Sequence, residues 1–146
     1  MSNRQVILLV EDNDDDALLT EMAFREANVS NPVIRVRDGV EALDYLFGRD
    51  KHAARDTADT PAVVLLDLNL PRIGGLDVLA ALRADDRSKY LPVVILTSSS
   101  AEDDRLAAYR RYTNSYVQKP VDYDEFVDTA RQLGRYWTEL NLRSPD

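Results

Sequence analysis

Four short apolar runs give this chain its pattern, and each ends in a polar or charged residue. Val6–Val10 ends in Glu11-Asp12, Val63–Leu66 in Asp67, Val93–Leu96 in Thr97, and the weaker Tyr116–Gln118 in Lys119-Pro120. Short apolar runs bounded by breakers read as buried parallel strands. A fifth run, Val33–Arg37, stops at Asp38-Gly39. Helical spacing fills the intervals. Leu18, Leu19, Met22, Ala23 and Ala27 mark a helix over 15–27, and Val40, Leu43, Leu46 and Phe47 share one face of the next. Leu76, Leu79 and Leu82 mark a third, and Ser100 with Asp103 reads as a capping box opening a fourth over 101–111. Phe126, Ala130, Leu133, Trp137 and Leu140 alternate spacings of four and three, which predicts a long amphipathic last helix at about 122–141. Residues 48–61 are polar and aperiodic and read as an exposed loop. Strands alternating with helices imply an α/β fold with a doubly wound parallel sheet.

A chain of 146 residues fits one domain, spanning 1–146. The formal charge of −8 argues against nucleic acid as a partner, because a phosphate backbone needs a basic footprint. Without cysteine there is no disulfide framework, zinc thiolate site or Cys nucleophile, which is compatible with a cytoplasmic protein. No signal-peptide core and no membrane-spanning stretch is expected, so no membrane contact is predicted.

Ligands of open parallel sheets bind outside the carboxyl ends of the strands. Glu11, Asp12, Asp67, Thr97 and Lys119 are therefore expected to converge on one crevice. Neighbouring carboxylates repel by about 4 kcal/mol per pair at an effective dielectric near 20. A cluster of Glu11, Asp12 and Asp67 calls for a cation, and oxygen-only ligands suit a hard ion, Mg2+ or Ca2+. With the Lys119 ammonium and the Thr97 hydroxyl, such an ion forms a receptor for phosphoryl oxygens. Asp67, at the centre, can itself be the nucleophile and form an acyl phosphate. Taken singly, these residues have blander readings. Asp67 alone would more often be a solvated loop acid, and Tyr116 alone a half-buried strand aromatic. Asp14, Asp15 and Asp16 read as first-turn acids favoured by the helix dipole. His52, the lone histidine, reads as a surface residue of the polar loop.

The motifs VILLVEDN (6–13), VVLLDLNLP (63–71), VVILTSSS (93–100) and SYVQKP (115–120) resemble, in order and spacing, the receiver domain of two-component response regulators. The resemblance extends over residues 5–140. It implies the flavodoxin-like receiver fold, with five parallel strands in the order 2-1-3-4-5 and helices on both faces. It also implies roles: Asp67 the phosphoacceptor, Asp12 a direct ligand of Mg2+ and Glu11 one acting through water. Asn69 would lend its main-chain carbonyl to the metal. Thr97 and Tyr116 match the switch pair and Lys119 the phosphate-contacting lysine, with a cis Lys119–Pro120 bond. Gly74-Gly75 matches the tight turn after the acceptor loop. Tyr112 departs from the pattern, standing where many receivers carry glycine at the end of the fourth helix.

Within the family, EDNDDD (11–16), DGVEALDYLFGR (38–49) and LGRYWTELN (133–141) resemble the small stand-alone regulators paired with bacterial phytochromes. The function implied is that of a phosphorelay regulator. Asp67 would take a phosphoryl group from a sensor histidine kinase, a bacteriophytochrome, and signal through protein contact. Self-phosphorylation and autodephosphorylation with Mg2+ are expected, but not enzymatic turnover. Tyr136, Trp137, Leu140 and Leu142 extend past the usual end of a receiver and predict a homodimer through the C-terminal helix face. Two rivals fare worse. A haloacid-dehalogenase-like phosphatase typically needs a second Asp where Asn69 stands. A flavodoxin would have to bind FMN phosphate in a loop that here reads EDNDDD.

Overall fold

A computed structural model describes residues 5–145; residues 1–4 and 146 of the expected 1–146 domain lie outside the described residues. Five parallel strands, β1 (Ile7–Val10), β2 (Val33–Val36), β3 (Val63–Leu66), β4 (Val93–Thr97) and β5 (Ser115–Gln118), form one sheet in the order β2-β1-β3-β4-β5. Helices α1 (Asp14–Glu26), α2 (Gly39–Phe47), α3 (Gly75–Ala84), α4 (Glu102–Arg110) and α5 (Tyr123–Arg135) connect or follow them. This is the architecture and strand order expected from the sequence.

Alternation along the central strands builds two cores. Leu8, Val10, Val64, Leu66, Val93 and Ile95 face α2 and α3, with Ala108 of α4. Ile7, Leu9, Val63, Leu65, Val94 and Leu96 face α1 and α5. Both faces of β1, β3 and β4 are covered, which is why these strands read as unbroken apolar runs.

Several local expectations are corrected. Helix α1 buries Ala17, Thr20, Ala23, Phe24 and Ala27, while Leu18, Leu19 and Met22 stay exposed. Phe24, among the largest fully buried side chains, sets the inward stripe. The capping box at Ser100/Asp103 does not form. Ala101 is the N-cap of α4, and Ser99 supplies the loop contacts, its Oγ accepting from Ala101 N–H at 3.2 Å and donating to Asp104 Oδ2 at 2.7 Å. The 48–61 loop is more tied down than its polarity implies. A short 3-10 turn spans Asp50–His52, and Arg55 stacks on the Tyr45 ring while its Nε donates to the Tyr45 carbonyl at 2.7 Å.

The last helix continues past α5 through a widened turn, Tyr136–Leu140, closed by Asn141 N–H on the Tyr136 carbonyl at 2.7 Å. Its apolar row divides. Phe126 and Ala130 are buried in the chain's own core and Leu133 and Trp137 pack against it, whereas Tyr136, Leu140 and Leu142 remain exposed.

Candidate functional site: a carboxylate and ammonium crevice at the strand ends

Main-chain hydrogen bonds extend the parallel ladders just beyond the strands and place the site. Glu11 N–H donates to Val36 O at 3.1 Å, Asp67 N–H to Val10 O at 3.2 Å, and Lys119 N–H to Thr97 O at 2.7 Å. Each of these residues is thus fixed by the strand beside it. Asp67 also sits above a constrained turn. Gly75 N–H donates to Leu68 O at 3.1 Å, and a Cβ at Gly75 would lie 2.2 Å from the Asp67 carbonyl oxygen, so only glycine fits there.

The side chains meet in one buried constellation. The Thr97 hydroxyl donates to Asp67 Oδ1 at 3.1 Å, and Asn69 N–H reaches the same oxygen at 3.2 Å. Lys119 Nζ lies 3.1 Å from Asp67 Oδ2 and 2.5 Å from Glu11 Oε1. Glu11, Asp67 and Thr97 are all buried, while Asp12 and Asn69 face solvent. Burial raises the Glu11 carboxyl above its ordinary range, and Lys119 only partly offsets this. Burial works against the Lys119 charge as well, but the Glu11 and Asp67 carboxylates outweigh it and hold the ammonium more firmly protonated than usual.

Tyr116 stands behind this group. It is half-buried against the α2–α3 core, and its hydroxyl donates to Ser99 O at 3.1 Å. The Thr97 hydroxyl thus lies on Asp67, and the Tyr116 hydroxyl points to the β4–α4 loop. The Lys119–Pro120 bond is trans, contrary to the cis form expected, since no cis peptide occurs among the described residues; trans is also the ordinary preference of an X–Pro bond.

Reading the sequence missed two neighbours of this crevice. Asp16, assigned to the helix start, turns its carboxylate toward Lys119, with Oδ2 3.5 Å from Nζ. The sequence carried no signal for this, because only the structure shows that Asp16 stands above the buried Thr20 on α1. Arg35 of β2 donates from Nε to the Glu11 carbonyl at 2.8 Å and from Nη1 to Asp14 at 2.9 Å, beside the acidic pair.

The donor set suits a hard divalent ion. The buried carboxylates of Glu11 and Asp67 outnumber the one ammonium between them, and these donors are oxygens, while Asp12, the next residue after Glu11, is exposed. Among the described residues, no three Asp, Glu or His side chains are gathered closely enough to cage a metal by themselves. Mg2+ does not require this, since it keeps several waters and takes only one or two carboxylates.

Residues 7–131 match the response regulator receiver domain family. Among curated relatives, the chain is 38% identical over 140 residues to the probable methanogenesis regulatory protein FilR2 of Methanothrix harundinacea, covering 96% of this chain and 87% of that one. It is 33% identical over 135 residues to response regulator Rcp1 of Synechocystis, covering 92% and 90%. Rcp1 has also been crystallised in a Mn2+-bound form. Among solved structures, the phosphorylated cyanobacterial phytochrome response regulator RcpA superimposes with a TM-score of 0.88 at 33% identity, covering 99% of this chain and all of that one. The bacteriophytochrome response regulator RtBRR gives 0.79 at 44% identity, covering 98% and 86%.

Proposed function

The chain belongs to the response regulator receiver family of two-component signalling, and from that premise we propose that it accepts a phosphoryl group on Asp67 from a sensor histidine kinase, one of the bacteriophytochrome class. One observation carries the reading: a buried strand-end carboxylate, Asp67, touches a hydroxyl, Thr97, and an ammonium, Lys119, in one crevice.

Each contact has a task in the transfer. An Asp67 oxygen bonds to phosphorus as the phosphorus–nitrogen bond to the kinase's histidine breaks, giving an acyl phosphate and a free imidazole. The Lys119 ammonium and the Thr97 hydroxyl donate to oxygens of the phosphoryl group. Glu11, Asp12, Asp67 and the Asn69 carbonyl would hold Mg2+, which supplies charge shielding for the dianionic group. Tyr116, hydrogen-bonded to the β4–α4 loop, connects the Thr97 movement to the face formed by α4, β5 and α5. The chemistry is a single reversible modification, with hydrolysis returning the free carboxylate, and not turnover of a substrate.

The kinase assignment is supported by the relatives named for phytochrome signalling. Leu18, Leu19 and Met22, two to six residues beyond Asp16 on α1, add an exposed apolar surface on which a protein partner could dock. We assign the reaction to the cytoplasm; no helix among the described residues is long and apolar enough to cross a membrane. We further propose self-association through the C-terminal helix. Tyr136, Leu140 and Leu142 supply the exposed apolar surface, with no nucleic acid or membrane partner.

Intact-mass spectrometry tests the acceptor. Acetyl phosphate with Mg2+ should add one phosphoryl group, and Asp67→Asn should abolish the addition. Labelling that persists in Asp67→Asn would move the acceptor elsewhere, with Asp12 the next candidate. Light scattering over a concentration series tests the dimer. A monomeric mass throughout, phosphorylated or not, would exclude it, and a dimer that survives Leu140→Ala with Tyr136→Ala would place the contact on another surface. Trp137 is a poorer probe, because it packs against the chain's own core.

A further inference from the structure

Asp16 belongs to none of the roles assigned above, and we propose that it is a positioning residue acting on Lys119, a brake that slows phosphoryl entry onto Asp67. This inference rests on Asp67 being the acceptor and Lys119 the phosphoryl contact.

The placement follows from α1 itself. Residues 16, 20, 23, 24 and 27 lie on one stripe of the helix, and from Thr20 onward that stripe is buried against the sheet. Asp16 stands at its upper end, level with the crevice. It is the third residue after the N-cap Asn13, the position from which an acidic side chain often reaches back to the N-cap N–H. Here that N–H is taken by Glu11 Oε2 at 3.3 Å. The Asp16 carboxylate is therefore left for Lys119.

The Lys119 ammonium has three protons and three carboxylates around it. Glu11 at 2.5 Å and Asp67 at 3.1 Å have side chains only 2% and 9% exposed. Asp16, at 3.5 Å, is 47% exposed and forms the solvent side of the group. An incoming phosphoryl oxygen needs one of those N–H donors. Glu11 is buried and close, and Asp67 is the reacting carboxylate. Asp16 is thus the acceptor the phosphoryl oxygen competes with, and its negative charge also opposes the approaching dianion. Asp16 makes and breaks no bond. In the reaction with acetyl phosphate, an Asp67 oxygen bonds to phosphorus, the bond from phosphorus to the acetyl oxygen breaks, and acetate leaves.

The test measures the rate of label uptake from acetyl phosphate by intact mass, with Mg2+ saturating for each variant. Asp16→Asn should label about two- to fivefold faster than wild type, the range a half-exposed ion pair supports. Asp16→Glu should return toward the wild-type rate. The gain should shrink at high ionic strength, which a purely structural effect would not do. Asp16→Asn combined with Asp67→Asn should not label. Labelling of wild type followed by an equal or slower rate in a natively melting Asp16→Asn would overturn the brake. Failure of wild type itself to label would instead overturn the acceptor reading beneath it.

Discussion

Thr97 offers one fully buried hydroxyl to Asp67, the carboxylate proposed to take the phosphoryl group. Removing it leaves the nucleophile, the ammonium and the metal donors in place. Thr97→Ala should accordingly still accept phosphate from acetyl phosphate, more slowly. It should lose the coupling to Tyr116 and the α4–β5 face. Backbone NMR is the check: phosphorylation should shift residues 101–118 in wild type but not in the variant, and equal shifts in both would contradict the coupling. That Glu11, Asp67, Thr97 and Lys119 meet was legible because each stands at the end of an apolar run, and parallel strands bring their carboxyl ends to one edge, while Asp12 of the same expected set is exposed. Asp16 and Arg35 escaped that logic. Asp16 lies on a helix, and Arg35 lies inside a strand and reaches the site with its side chain. Arg83 escaped it as well. Its guanidinium gathers the carbonyls of Leu91 and Tyr112 and the Asn114 side chain, contacts scattered over 31 positions of sequence.

At the scale of elements, helix ends show where composition under-determines geometry. Helix α4 closes in a Schellman arrangement, with Thr113 N–H on Ala108 O at 3.2 Å and Tyr112 N–H on Tyr109 O at 3.0 Å. Tyr112 takes the left-handed position with φ of 63°. The residue that departs from the family's glycine thus keeps the glycine's backbone. Arg83 Nε donates to its carbonyl at 3.0 Å and helps hold the turn. The Tyr112 side chain is 74% exposed and contributes little packing. Tyr112→Gly should therefore stabilise the protein by about 0.5–1 kcal/mol, the left-handed penalty less glycine's greater unfolded-state entropy. Denaturant unfolding would show a higher midpoint with an unchanged slope, and a lower midpoint would mean that the ring carries packing not evident in its exposure. The positions of strands and helices were legible from period. Which face of α1 turns inward was not, because Leu18, Leu19 and Met22 compete with Ala17, Ala23 and Phe24 for the same helical period. The sheet decides between them by fitting small residues and one large aromatic.

At the scale of the molecule, acid sensitivity follows from ion pairs that tie its loops together. Burial works against the Asp38 charge, but the Arg72 guanidinium and the Glu41 N–H hold its carboxyl below the ordinary range. Burial opposes Glu41 too, and Lys51, Arg37 N–H and His52 hold it down. Both folded values lie below the unfolded ones, 3.8 and 4.5. Their contribution is complete above those values and is lost as pH falls through the folded values, because the unfolded chain takes up protons first. Melting temperature should fall as pH drops from about 5 to 3, and Arg72→Gln should flatten that slope modestly, as befits a half-exposed pair. An identical slope in the variant would remove this pair from the account. The parallel α/β sheet was legible at this scale because strands alternate with helices along the chain, whereas the strand order was implied only by the resemblance to receiver domains. The direction of the C-terminal residues beyond Leu140 was not, since Leu142 is exposed and no periodicity extends past the helix. Borohydride reduction of the phosphorylated protein followed by tandem mass spectrometry tests whether Asp67 carries the phosphoryl group. Reduction converts an aspartyl phosphate to homoserine. Homoserine is expected at position 67 and at no other aspartate; homoserine at position 12 or 16, or a stable phosphate on Ser98, Ser99 or Ser100 with Asp67 unchanged, would show that Asp67 is not the acceptor.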